Sequence, residues 1–261
     1  MKKLNLFITT ALAIITLSSC QNERKIVAYS DIYAERPTSI YIAPIEDFSK
    51  RRFEKYPKDA EFNKELNTAA AYMEQTLAAP LTNRGYYIPG PLATERIKMT
   101  ESRSVKELKK GNISSYLTHF GIDAILFTTI HKWTESNGEW VIYAEYEIRS
   151  TKSNIELMHN WVKGTKRIPT DLKGDPRPLK QDLAFSAQMG FDINTAQRCY
   201  LVSMMNDYVL RNLPISSLRD NTENVYEQAT PRYFHFIWTE EGSMEINRIP
   251  MEEYENGCFV D

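Results

Sequence analysis

Glu145 and Glu147 stand two residues apart in a stretch that alternates apolar and polar side chains, so a strand there points both carboxylates to one face. Two carboxylates on one face could serve as a general acid and a general base. The alternation also has a plainer meaning. Trp140, Ile142, Ala144, Tyr146 and Ile148 fill one face; Val141, Tyr143, Glu145, Glu147 and Arg149 fill the other, where the strand is expected to meet water near Lys163 and Arg149. We read the pair in that second way. The four histidines, His119, His131, His159 and His235, lie far apart without the short spacing of metal ligands, and each reads as a half-buried or surface residue. A phosphate-cradling glycine loop, a G-x-S-x-G elbow, an H-E-x-x-H pair and paired cysteines are all missing. No catalytic, cofactor or metal site is therefore expected.

The clearest chemistry is at the start of the chain. Lys2 and Lys3 precede an apolar run from Leu4 to Leu17, which is too short to span a bilayer comfortably. The run ends in Leu17-Ser18-Ser19-Cys20, which resembles a bacterial lipobox, where the cysteine thiol takes a diacylglyceryl group before cleavage. Residues 1–19 read as a lipoprotein signal peptide, Cys20 as the lipidation site and 20–37 as a tether. Each buried methylene adds about 0.8 kcal/mol, so multiple acylation gives a durable anchor. Gln21, rather than Asp, follows the cysteine and points to the outer membrane. The formal net charge of −2 becomes more negative once Lys2 and Lys3 are removed and gives no support to nucleic-acid binding. Cys199 and Cys258 could pair in an oxidising compartment. Cys199 sits among apolar helical positions, so a buried free thiol is at least as good a reading.

These residues need a scaffold, and the chain describes one. Thr38 to Ala43 reads as a first strand closed by Pro44. A charged loop follows, with Lys50, Arg51, Arg52, Lys55 and Lys58 offset by Glu46, Asp47, Glu54, Asp59 and Glu61; it reads as solvated, although an anionic partner is conceivable. Phe62, Leu66, Ala69, Met73 and Leu77 recur at helical spacing, and Pro80 predicts a kink or a second short helix. Gly85 stops it, and Tyr86 to Ile88 reads as a short strand completing a βαβ crossover. Short surface helices are expected over 92–99, 105–110 and 114–119, the last stopped by Gly121. Ile122 to Ile130 is a continuous apolar run suited to a central strand covered on both faces.

Asn137-Gly138 signals a tight hairpin, because a type I′ turn needs positive φ at both central residues. The next strand, 155–163, is expected to place Ile155, Leu157, His159 and Trp161 on one face and Glu156, Met158 and Asn160 outward, at a weakly defended sheet edge that the C-terminal segment 233–249, another copy or a partner should cover. A proline-rich loop over 165–181, one or two helical turns over 183–189, a helix from Ile193 to Leu210 stopped by Pro214, and a C-terminal hairpin outside the main core complete the reading. The domain is expected to span 38–214, with 215–261 as an extension.

The order of Ser39 to Pro44, Pro80-Leu81, Gly85-Tyr86-Tyr87, Phe120-Gly121-Ile122-Asp123-Ala124, Trp161 to Gly164 and Asn212-Leu213-Pro214 resembles a lipoprotein family. It is the family of unknown function typified by a meningococcal vaccine-candidate antigen, the domain of unknown function 799 type. The first loop is longer and more charged than in the family, 165–188 is not glycine-rich, and 221–261 has no counterpart. The resemblance implies a mixed α/β fold similar to the N-terminal domain of the Tol-associated propeller protein. It also implies company with a lipoprotein similar to the curli secretion channel, and it carries over no catalytic residues.

The expected protein is thus a periplasm-facing outer-membrane lipoprotein without cofactors. It would act by binding or assembly, with protein partners in the envelope that could include itself, through its sheet and aromatic surface. The rival is a periplasmic enzyme or small-ligand sensor with a cleft beyond the first strand, using Glu46 or Asp47 as acid or base.

Overall fold

The computed structural model describes residues 29–49, 60–136, 139–167, 180–219, 234–239 and 242–249. The signal peptide, Cys20, the charged loop over 50–59, Asn137-Gly138, most of the proline-rich loop and Cys258 lie outside them. Among the described residues no helix is long and apolar enough to cross a membrane.

Helix α1 (Ser30–Glu35) leads into β1 (Ile40–Ile42) and the two-residue β2 (Glu46–Asp47). Helices α2 (Ala60–Thr76) and α3 (Ala78–Asn83) follow, broken at Leu77 as Pro80 predicts. Three short helices, α4 (Pro91–Thr100), α5 (Val105–Lys110) and α6 (Ser115–Phe120), precede β3 (Ala124–Ser136), β4 (Glu139–Ser150) and β5 (Glu156–Arg167). Helices α7 (Lys180–Met189) and α8 (Ile193–Leu210) are followed by β6 (Phe234–Thr239) and β7 (Gly242–Ile249). The sheet order is β1-β3-β4-β5-β7-β6, with β2 also on β3. Strands β1 and β2 run parallel to β3, and every other pairing is antiparallel. This is a mixed α/β fold.

The apolar run of β3 explains the layers. Ala124, Leu126 and Ile130 join one core with Met73, Leu77, Leu81 and the inward face of α8; Ile125 and Phe127 join a second with Tyr41, Ile97, Leu108, Ile113 and Tyr116. Helices α2, α3 and α8 thus cover one face of the sheet, and α4, α5 and α6 cover the β1–β3 part of the other. Gly121, at φ 65°, turns the chain from α6 into β3, a left-handed conformation suited to glycine. Ser136 pairs with Glu139 across the tip of the β3–β4 hairpin.

Three expectations are corrected. Tyr86 to Ile88 is not a strand; it contributes one parallel bridge, Tyr87 to Ser39. The faces of β5 are reversed, because its register with β4 slips at Leu157, between Met158↔Ile148 and Glu156↔Arg149. Met158, Asn160, Val162, Gly164 and Lys166 therefore face the interior, while His159 and Trp161 face the other way. The edge of β5 is covered by the C-terminal segment, the first of the covers expected for it, since β7 pairs with it from Trp161↔Ile249 to Lys166↔Met244. For the same reason the C-terminal hairpin is not outside the core: Ile246 is buried within it.

Glycine at 164 lets α8 approach the sheet. A Cβ there would lie 2.4 Å from Met205 Sδ and 3.1 Å from Ile142 Cγ2. The remaining motif segments act as joints. Asp123 Oδ2 accepts from the backbone N–H of Thr38 at 2.8 Å and of Ser39 at 3.1 Å, holding the start of β1 on β3. Arg84 Nε donates to the Leu213 carbonyl at 2.6 Å and Tyr86 Oη to that of Pro214 at 2.8 Å, tying the end of α3 to the chain after α8.

Candidate functional site

Glu145 and Glu147 do not meet water as expected. They are 8% and 4% exposed and lie under α5 at the centre of a charged cluster. Helix α5 is short, but Ser104 and Glu107 form a complete capping box at its start and Leu108 anchors it in the second core. That anchoring carries Lys109 over the sheet. Its Nζ lies 3.3 Å from Glu145 Oε2 and 3.9 Å from Glu147 Oε2, and donates to Thr129 Oγ1 at 3.0 Å. Arg149 donates through Nε to Glu147 Oε1 at 2.9 Å and also reaches the Lys109 carbonyl at the end of α5. Lys163, the neighbour expected beside the carboxylates, instead lies over the Tyr143 ring.

Two of the four dispersed histidines converge on Glu145. His131 sits where the β3–β4 register shifts between Ile130 and Lys132, and its Nε2 lies 3.0 Å from Glu145 Oε2. From β5, His159 Nε2 lies 2.9 Å from Glu145 Oε1, and its Nδ1 lies 3.0 Å from Glu156 Oε2. An imidazole with a carboxylate at each nitrogen is best matched as the double donor, the imidazolium. Trp161 packs beside His131, ring centroids 4.6 Å apart. Each residue was visible in the sequence, but their meeting was not. The available signal was pairing arithmetic: His131 and His159 each stand fourteen positions from Glu145, which two successive hairpins convert into neighbouring strands.

The electrostatics follow from this geometry. Burial alone would raise the Glu145 pKa, but hydrogen bonds from His131 and His159 and the nearby Lys109 charge outweigh it and hold the carboxyl well below the usual carboxylate range. The hydrogen bond to Glu145, opposed by burial and helped by the Glu156 charge, pushes His159 above its ordinary value. Glu145 is thus a weak base with both oxygens engaged, suited to clamping three strands and α5 rather than abstracting a proton. Among the described residues no group of three or more His, Cys, Asp or Glu is arranged to hold a metal ion.

Glu46 and Asp47, the rival acid or base, form β2, paired with Thr129 and Ile130 of β3. Asp47 Oδ1 accepts from the backbone N–H of Ser49 at 3.0 Å. A cavity of about 400 Å³ lies instead near the amino ends of β1 and β3, lined in part by Tyr87, Ala93, Arg96, Ile97, Phe120 and Ile122. The loop beyond the carboxyl end of the first strand, 50–59, lies outside the described residues. Cys199 is a free thiol buried in the core, and burial pushes its pKa up to about 12, so it is inert as a nucleophile.

No family model matches the chain, and no curated protein matches it. Among solved structures, the chain is similar to lipoprotein GNA1162 from Neisseria meningitidis. The identity is 18% and the TM-score 0.38, covering 59% of this chain and 95% of that one. The PelC dodecamer from Paraburkholderia phytofirmans is similar at 12% identity and a TM-score of 0.32, over 66% of this chain and 86% of that one. The LpoB C-terminal domain from Salmonella enterica is similar at 8% identity and a TM-score of 0.29, over 53% of this chain and 96% of that one.

Proposed function

We propose that the chain is a lipid-anchored protein of the bacterial envelope that acts by binding or assembly and is not an enzyme. The lipobox-like Leu17 to Cys20 supports the anchor and, with Gln21, an outer-membrane location facing the periplasm. The observation that carries the binding reading is the surface of α4. Leu92 is 90% exposed and Met99, two turns along the same face, is 85% exposed, with Tyr87 beside the helix at 55%. Clustered exposed apolar side chains mark interaction sites more often than isolated ones do. The closed state of Glu145 turns the best carboxylate pair away from acid–base chemistry. Partners are neighbouring envelope proteins, with the family resemblance pointing to a lipoprotein similar to the curli secretion channel. No nucleic acid is involved. Strand addition at β5 is no longer part of this reading, because β7 occupies that edge.

The test is crosslinking of the full acylated protein in intact cells, comparing wild type with Leu92→Asp/Met99→Asp. Discrete crosslinked species that disappear in the double variant, with unchanged thermal unfolding, are expected. An unchanged crosslinking pattern removes α4 as the binding surface. Separately, Cys20→Ser should lose the acyl mass and the membrane partition; retention of both contradicts the anchor.

A further inference from the structure

The cavity between α4 and α6 differs chemically from the charged cluster on the sheet. Ile97 and Ile122, both buried, give it apolar walls, and the half-buried Phe120 and exposed Tyr87 add ring surfaces. Arg96 from α4 brings a positive charge to its lining, and His119 from α6 adds an imidazole. No carboxylate lines it.

The acids near Arg96 are committed elsewhere. Lys98 lies 3.6 Å from Glu95 and 3.7 Å from Glu74, and Arg103 pairs with Glu101 at 2.8 Å. Among the described residues Arg96 forms no ion pair. His119 donates through Nδ1 to the Ser115 carbonyl at 2.9 Å, since a carbonyl can only accept; this fixes the ring and leaves Nε2 outside that bond. Thr100, also on the lining, adds a hydroxyl that donates to the Arg96 carbonyl at 2.8 Å.

We propose that this cavity is a binding site for a small carboxylate with an apolar, ring-sized body. About 400 Å³ lies toward the low end of ligand cavities, which run from roughly 300 to 1,000 Å³, and suits one ring with a short side arm. The apolar walls take the body. Arg96 takes the carboxylate, because a guanidinium presents forked donors matched to its two oxygens. A neutral analogue fills the same walls and leaves Arg96 unpaired; an amine places like charge against it. The site shares Tyr87 with the proposed assembly surface, but neither Leu92 nor Met99, the residues changed to test that surface, lines it.

The experiment titrates the full mature protein with phenylpropionate, phenylpropanol and phenylpropylamine by calorimetry or ligand-observed NMR. Phenylpropionate is expected to bind about tenfold more tightly than the alcohol, in line with one charge-assisted contact, and the amine least tightly. Arg96→Gln should bring the acid down to the affinity of the alcohol, while Ala93→Phe should fill the cavity and weaken both. Equal binding of acid and alcohol to the wild type, no binding of the acid, or a preference for the acid that survives Arg96→Gln overturns the proposal. The comparison among probes on the wild-type protein needs no variant to fold. Crosslinking of the Leu92/Met99 variant does not depend on it, so the two readings fail separately.

Discussion

The two faces of β4 and β5 bury charge in opposite ways. On the inner face, Lys166 Nζ meets Asp182 Oδ1 at 3.0 Å with side chains only 2% and 1% exposed. Asp182 also accepts from Gln197 Nε2 at 3.1 Å, and the Gln197 side-chain oxygen faces Trp140 Nε1 at 3.4 Å. On the outer face, Glu145 is held by Lys109 and two half-buried histidines. The inner pair joins a strand to α7 and α8 with charges kept from water. The outer cluster joins three strands to α5 with partners that can gain or lose a proton. Burial depth and titratability together decide whether such a group behaves as a fixed strut or a pH-dependent one.

The largest effect should come from halving the inner pair. Lys166→Met leaves Asp182 buried without its ion partner and is expected to destabilise by roughly 3–5 kcal/mol in urea unfolding. Lys166→Met/Asp182→Leu should recover most of that loss, because two apolar groups replace two desolvated charges. A single variant as stable as wild type would mean that the inner pair is not a strut.

On the outer face, Glu145→Gln removes the negative charge on which Lys109 and the two histidines converge. A loss of roughly 1.5–3 kcal/mol near neutral pH is expected, the scale of hydrogen bonds to a charged group. Gly164→Ala tests the approach of α8 beside Lys166 and should cost about 1 kcal/mol, the low end of overpacking, because the Met205 side chain can shift. A Gly164→Ala/Met205→Ala chain should show a smaller cost for adding the Cβ at 164; an equal cost would place the strain elsewhere.

The smallest effect distinguishes the two faces most cleanly. The His159 pKa is raised on folding, so its contribution is fully present below about pH 6.5 and is lost as pH rises through the folded value. Glu145 has the opposite sign. Its contribution is present above the ordinary glutamate value of about 4.3 and is lost as pH falls through its depressed folded value. Both contribute together between those limits. Wild type should therefore lose unfolding free energy as pH rises through the folded His159 value, and His159→Gln should flatten that decline. An unaltered slope would show that Glu145, Glu147 and Glu156 do not hold the imidazolium.

Much of the scaffold was legible because its signals are local. The apolar run of β3, the alternation of β4, the break announced by Pro80 and the turn at Gly121 each depend on neighbours in sequence. What was missed depends on register. A slip at Leu157 reverses the faces of β5, turning Lys166 inward and His159 toward Glu145. No periodicity in that strand reveals the slip, since Leu157 and Met158 are both apolar and both buried. The outer cluster was hidden for the same reason, as its members meet only when two hairpins set three strands side by side. The cover of the β5 edge by the C-terminal segment was legible only as one of several, because two segments distant in sequence must find that edge.

Reading this protein as a binder rather than an enzyme requires, beside the α4 surface, that Glu145 be a clamp and not a base. The direct measurement follows the Glu145 side-chain carboxyl carbon by NMR as pH is lowered toward acid unfolding, with Glu145→Gln to assign the signal. The account predicts that the carboxyl stays ionised well below the ordinary glutamate range, near pH 4.3, until the fold is lost. A titration midpoint at or above that range in the folded protein would contradict it and return the Glu145–Glu147 pair to acid–base chemistry.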